Sequence, residues 1–170
     1  HRDIKSDNIF CTTSGEIMIA DLGLGVYLTQ QQAYRKTRGV GTTNFMSPEI
    51  LNGSPYSFKS DVWAFGIFIH ELGAGGLPFQ NCRNDVTLID AILENSIPSI
   101  EGRGDSFNDL MQKCLQREQD ERITMDEVLA HPYLQDVESN FEWFKQKWIQ
   151  DFERYQMSQE DKPKSNSFID

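Results

Sequence analysis

Between Asp61 and Leu72 the chain carries Val62, Trp63, Phe65, Ile67, Phe68, Ile69 and Leu72, apolar residues spread around a helix instead of along one stripe. A helix that is hydrophobic nearly all round does not lie on a surface; other elements must cover it on every side. Asp61 heads this helix, where a carboxylate can accept backbone N–H bonds, and Gly73, Gly75 and Gly76 end it. The covering elements are legible nearby. One helix is expected from about Asp85 to Glu94. A second carries Phe107, Leu110, Met111, Cys114 and Leu115 on one stripe at amphipathic spacing. Thr124-Met125-Asp126-Glu127 is a capping-box start for a third, which stops before Pro132. Ile9–Thr12 and Ile17–Ala20 alternate with turn residues Ser14-Gly15 and read as two short strands joined by a turn. With 170 residues, 38% of them hydrophobic, the chain can bury one ordinary core and not two. The fold class is therefore mainly α, a helical bundle with a small two-stranded β element.

Other features narrow the function. A formal net charge of -10 argues against nucleic acid or an anionic membrane as the main partner. Plain solubility explains an acidic surface better than a dock for basic substrates. Cys11, Cys82 and Cys114 are far apart and lack the close pairing of zinc or redox motifs, which fits a reduced compartment, the cytoplasm and compatibly the nucleus. The longest apolar run, Ala64–Ile69, is far too short to span a bilayer. Residue 1 is not a methionine, so no signal peptide can be read, and His1 is expected to be a cut or a gene-model start. Residues 21–49 are loop-like, punctuated by Gly23, Gly25, Gly39 and Gly41 around Gln30-Gln31-Gln32; a loop of that length is usually functional or disordered.

The chemistry is concentrated at the start: His1-Arg2-Asp3-Ile4-Lys5-Ser6-Asp7-Asn8, then Asp21-Leu22-Gly23. Singly, each residue has a dull explanation as a solvated turn acid or a surface lysine. Jointly they suit a metal-bound polyphosphate. Asp3 can accept a proton, Lys5 can neutralise developing negative charge, and Asn8 with Asp21 offers hard oxygens to Mg²⁺. The segment resembles the H-R-D-x-x-x-x-N loop of protein kinases, with Asp-Leu-Gly in place of Asp-Phe-Gly. Small-molecule phosphotransferases carry a similar loop. Further matches in the right order favour the protein kinases: Gly41-Thr42-Thr43-Asn44-Phe45-Met46-Ser47-Pro48-Glu49 resembles the segment ending in Ala-Pro-Glu, with Ser47 for alanine. Asp61-Val62-Trp63-Ala64-Phe65-Gly66, Asp120-Glu121-Arg122-Ile123-Thr124 and His131-Pro132-Tyr133-Leu134 match later signatures.

This resemblance to the C-terminal lobe of a eukaryotic Ser/Thr protein kinase implies several expectations. Residues 1–135 form that lobe, and 136–170 form an extension, first a helix and then a disordered tail from Gln159. ATP and Mg²⁺ are the cofactors and a protein hydroxyl is the acceptor. Asp3 is the proton acceptor, Lys5 steadies the transferring group, and Asn8 and Asp21 hold Mg²⁺. Thr42 bonds Asp3 and Lys5, and with Lys5 it matches the Ser/Thr branch. Phe10 floors the adenine pocket, although a core role explains it equally well. Asp61 holds the Asp3 loop in shape, and Arg122 pairs with Glu49. Arg2 can bind a phosphate on Thr37, which lies among Arg35, Lys36 and Arg38, and an unmodified polar loop is the equal alternative. Glu71 stands where some kinases read a basic residue, with a structural role preferred. His1, Phe10 and Leu22 form a face left exposed by the absent lobe. The glycine-rich loop, the strand lysine and its glutamate partner precede the His1 position in the family, so this segment alone is expected to be inactive. A non-catalytic scaffold or truncated product is the alternative reading. The aromatic face Phe141, Phe144, Trp148, Phe152 and Tyr155 is expected to pack on the chain's own lobe, with partner docking the lesser alternative.

Overall fold

The computed structural model of the chain describes residues 1–28, 42–135 and 137–160. Thr37 with its basic neighbours, the glutamine run and the tail from 161 lie outside those residues. The described chain is about half helical with one two-stranded sheet. It divides into two compact units: His1–Ile9 with Ile19–Gln135, and Phe10–Met18 with the chain from residue 136 on.

In the first unit the apolar helix expected at Asp61 is helix α2, Lys59–Ala74. It begins two residues earlier than Asp61, so Asp61 lies within its first turn and does not cap it. Val62, Trp63 and Ile67 are buried, whereas Leu72 is 63% exposed, so the burial is not complete around the helix. Gly75, at φ 75°, ends α2 by returning its N–H to the Glu71 carbonyl at 2.9 Å.

Helix α4, Asp105–Cys114, crosses α2 with the predicted stripe inward: Phe107, Leu110, Met111 and Cys114 are all buried. The two helices approach closely because α2 presents glycine at the crossing. A Cβ on Gly66 would sit 2.8 Å from Cys114 Cβ, and one on Gly73 would sit 2.7 Å from Phe107 Cζ. Burial pushes the Cys114 thiol up to about 12, so it behaves as a small hydrophobe.

The 3₁₀ turns Leu22–Leu24 and Thr43–Phe45 fall within residues 21–49, read from sequence as loop, and helix α1 (Pro48–Leu51) begins at the end of that stretch. Phe45, Met46 and Ile50 are buried, and that packing orders a stretch with no periodicity of its own. Helix α3, Asp85–Glu94, has the expected span and is capped reciprocally by Asn84 and Thr87. Helix α5, Met125–Leu129, carries the predicted box: Thr124 N–H donates to Glu127 Oε2 at 2.8 Å and Glu127 N–H to Thr124 Oγ1 at 3.2 Å. At the end of the unit His131 is buried. Its Nδ1 accepts from Tyr133 N–H, which leaves Nε2 as the protonated nitrogen facing Asp109 Oδ2 at 3.0 Å.

The sheet pairs β1, Ile9–Cys11, with β2, Ile17–Ile19, as a hairpin. The second unit joins the tip of that hairpin to helix α6, Val137–Glu160, which runs through the residues where the tail was expected to begin. Trp148 meets the same chain at Thr12, and Phe144 stacks on Trp148 with ring centroids 6.5 Å apart. The side chains of Phe141 and Tyr155 lie outside the described residues. Among the described residues no helix is long and apolar enough to cross a membrane.

Candidate active site

Asp3 is 7% exposed, so its charge needs partners. Lys5 Nζ lies 2.9 Å from Asp3 Oδ2. The buried Asn8, in the 3₁₀ turn Ser6–Asn8, donates through Nδ2 to Asp3 Oδ2 at 3.1 Å and to the Asp3 carbonyl at 2.8 Å. Lys5 also donates to Thr42 Oγ1 at 2.8 Å, which orients the Thr42 hydroxyl toward Asp3 Oδ1 at 3.4 Å. The two carboxylate oxygens are thus unequal. Oδ2 is held by two nitrogen donors and Oδ1 by one long hydroxyl contact. Burial raises the Asp3 carboxyl's pKa, but the Lys5 bond and charge, then Asn8 and Thr42, outweigh it and bring the pKa below the ordinary aspartate value. Asp3 is therefore ionised at neutral pH, with one oxygen available to a hydroxyl donor.

The loop is fixed from behind by α2. Asp61 accepts from the His1 nitrogen through Oδ2 and from the Arg2 N–H through Oδ1, each at 2.8 Å. The Asp61 carboxylate therefore binds the backbone of the Asp3 loop. His1 is largely covered, contrary to the exposure expected of it: Nδ1 accepts from Asp3 N–H, so Nε2 donates to the Ala20 carbonyl at 3.0 Å. Ala20 N–H returns to the Asn8 carbonyl at 2.8 Å, which sets Asp21 beside the Asp3 loop at the adjoining chain ends.

Asp21 takes a left-handed backbone, φ 64°, and its Oδ1 accepts from Gly23 N–H at 3.1 Å. Arg2 is left-handed as well, at φ 69°. Such conformations in non-glycine residues cost roughly 1–3 kcal/mol and persist where surroundings enforce them. Among the described residues no hydrogen bond joins the Asp21 carboxylate to the Asp3 cluster. The remaining donor set suits Mg²⁺. Asn8 Nδ2 is engaged with Asp3, which leaves Oδ1 as the amide atom that could meet a cation, and Asp21 could offer a second hard oxygen. Among the described residues no group of three or more His, Cys, Asp or Glu could hold a metal. A cation that keeps waters and phosphate oxygens needs no such cage. Leu22 is 72% exposed, and Phe10, in the second unit on β1, is 51% exposed.

The family model of the protein kinase domain matches residues 1–134. The chain belongs to the protein kinase domain family. Among curated proteins it is 35% identical over 148 residues to serine/threonine-protein kinase pakA of Dictyostelium discoideum, covering 85% of this chain and 12% of that one. It is 37% identical over 137 residues to serine/threonine-protein kinase max-2 of Caenorhabditis elegans (79% and 21%), and 35% identical over 136 residues to mitogen-activated protein kinase kinase 3 of Arabidopsis thaliana (79% and 26%). The chain thus spans about an eighth to a quarter of these relatives' lengths.

In this kinase-family chain the expected pair of Arg122 and Glu49 is complete. Arg122 Nη1 and Nη2 donate to the two Glu49 oxygens at 2.8 and 2.9 Å, and the remaining three N–H groups go to the carbonyls of Lys59, Arg117 and Gln116. Ser60 Oγ adds a bond to Glu49 Oε1 at 2.7 Å. Burial opposes the Glu49 charge, yet Arg122 and Ser60 hold its carboxyl below the ordinary range. The Thr37 that Arg2 was expected to meet when phosphorylated lies outside the described residues; Arg2 donates to Tyr56 Oη at 2.9 Å and to the Leu24 carbonyl. Nothing in the sequence around Tyr56 pointed to that contact.

Proposed function

We propose that residues 1–135 are the C-terminal lobe of a Ser/Thr protein kinase, transferring the γ-phosphoryl of ATP to serine or threonine hydroxyls of proteins. The observation that carries this reading is the asymmetric Asp3 carboxylate, anchored on Oδ2 by Lys5 and Asn8 and open on Oδ1. Oδ1 accepts the proton of an incoming hydroxyl and fixes its direction of approach. Lys5, tethered between Asp3 and Thr42, places its positive charge beside the hydroxyl, where negative charge develops on the transferred group. Asn8 and Asp21 would hold Mg²⁺, which when bound neutralises polyphosphate charge. Phe10 is assigned to the adenine by family resemblance. Positioning and charge stabilisation supply most of such catalysis.

This reading places the protein in the cytoplasm and assigns residues 136–170 to an extension of the lobe. It also makes residues 1–170 a chain that folds without transferring phosphate, because the sequence holds no glycine-rich loop or strand lysine to align ATP. The test supplies a degenerate peptide library and Mg-ATP to a protein carrying this segment behind an N-terminal kinase lobe. Phosphoserine and phosphothreonine are expected. Predominant phosphotyrosine, or robust transfer by residues 1–170 alone, would refute the assignment.

A further inference from the structure

A hairpin with strands of three residues is marginal by itself; it needs a partner surface to hold its register. In the second unit that surface is α6. The Thr12 carbonyl accepts the turn's own Gly15 N–H at 2.9 Å and also the Trp148 Nε1–H at 2.9 Å, from 136 positions away. Gly15 takes φ +81°, and a Cβ there would sit 2.5 Å from Lys145 Cγ and 3.1 Å from Lys145 Cα. The helix backbone therefore lies directly on the turn, and glycine is required twice over. The turn is itself cross-linked. Thr12 N–H donates to the Glu16 carbonyl at 2.8 Å, Glu16 N–H to Thr12 Oγ1 at 3.0 Å, and Ser14 Oγ bridges toward Glu16. A turn bonded in this way passes a constraint at its tip into both strands. Along the chain those strands are β1, which carries Phe10 and follows Asn8, and β2, which leads through Ala20 to Asp21.

We propose that α6 is a built-in brace for this hairpin and that Trp148 is a positioning residue acting on nucleotide affinity, not on the transfer step. The nucleotide half of this proposal rests on the kinase reading given above; the brace itself does not. Asp3, Lys5 and Thr42 bond to one another, and Asp61 of α2 holds the His1 and Arg2 backbone nitrogens of the same loop. Among the described partners of Asp3 only Asn8, which precedes β1, adjoins the hairpin, so the rest stay in place when it loosens.

The test compares Trp148→Phe, Trp148→Ala and Gly15→Ala with Trp143→Phe, a control at an α6 residue 64% exposed. Amide hydrogen exchange on the full chain is the first readout. Trp148→Phe keeps an aromatic ring but removes the indole N–H, and should speed exchange at Thr12 and Gly15 about fivefold. Trp148→Ala should speed it further, and Trp143→Phe should leave it unchanged. Unchanged exchange in Trp148→Ala, or an equal change in the control, would overturn the brace. The second readout is steady-state kinetics in a protein that carries this segment and transfers phosphate. Trp148→Phe should raise the KM for ATP severalfold while kcat and the peptide KM stay within about twofold. A fall in kcat at constant KM would overturn the nucleotide role. A wild-type protein that neither binds Mg-ATP nor transfers phosphate would sink the kinase reading, and the exchange measurement would still decide the brace.

Discussion

Two carboxylates in the first unit keep nearly the same small exposure to solvent, 7% at Asp3 and 6% at Glu49, and are treated in opposite ways. Glu49 meets a guanidinium whose five N–H groups are all engaged, and Ser60 adds a further bond, so that site is closed. Asp3 meets a lysine that remains 19% exposed, an amide and one distant hydroxyl, so that site is left short of a donor. A saturated buried pair has nothing to offer a ligand and contributes by its completeness. An under-coordinated buried carboxylate is costly unless a ligand completes it. The difference separates a structural ion pair from a reactive one without appeal to position in the sequence.

Breaking the closed pair should have the largest effect on stability. Arg122→Leu strands the Glu49 charge and is expected to lower unfolding free energy by roughly 3–5 kcal/mol in chemical denaturation. An unchanged midpoint would mean that the pair contributes nothing net. A smaller effect comes from pH. Glu49 titrates below its usual value of 4.5 when folded, so the unfolded chain binds the proton first as pH falls. Its contribution is full above that value and is lost as pH drops through the folded pKa. The stability gap between wild type and Glu49→Gln should therefore be constant near neutrality and shrink in acid; a gap that widens in acid would contradict the assignment. The smallest change is at Ser47, fully buried, whose hydroxyl finds no hydrogen-bond partner among the described residues. Ser47→Ala should stabilise by about 1 kcal/mol in the same denaturation assay, since it removes an unsatisfied polar group without leaving a partner behind. A destabilised variant would show that the hydroxyl has a partner.

What could be read from sequence tracks the range over which the signal acts. The α4 stripe, the Thr124–Glu127 box and the hairpin are written in residues a few positions apart, and each forms where expected. Helix α1 and the turn Thr43–Phe45 were hidden because burial of Phe45, Met46 and Ile50, and not local periodicity, orders them. Asp61 was given two roles, a helix cap from its place before an apolar run and, by the resemblance, a hold on the Asp3 loop; the helix starts at Lys59, so the cap fails, while the carboxylate does bind that loop. Contacts such as Arg2 to Tyr56 and Trp148 to Thr12 join residues far apart in the chain, and no spacing rule reaches them.

The contrast between the two carboxylates is tested most directly by turnover per folded molecule in Asp3→Asn, measured beside the denaturation midpoint of the same preparation. In a protein that carries this segment and transfers phosphate, turnover should fall about 10²–10⁴-fold, the contribution of a positioned general base. The midpoint should move by the equivalent of less than about 1 kcal/mol, because Lys5 can turn its freed charge to solvent. Near-normal turnover, or a loss of turnover matched by a loss of folded protein, would contradict the account, since Asp3 would then be a structural carboxylate of the same kind as Glu49.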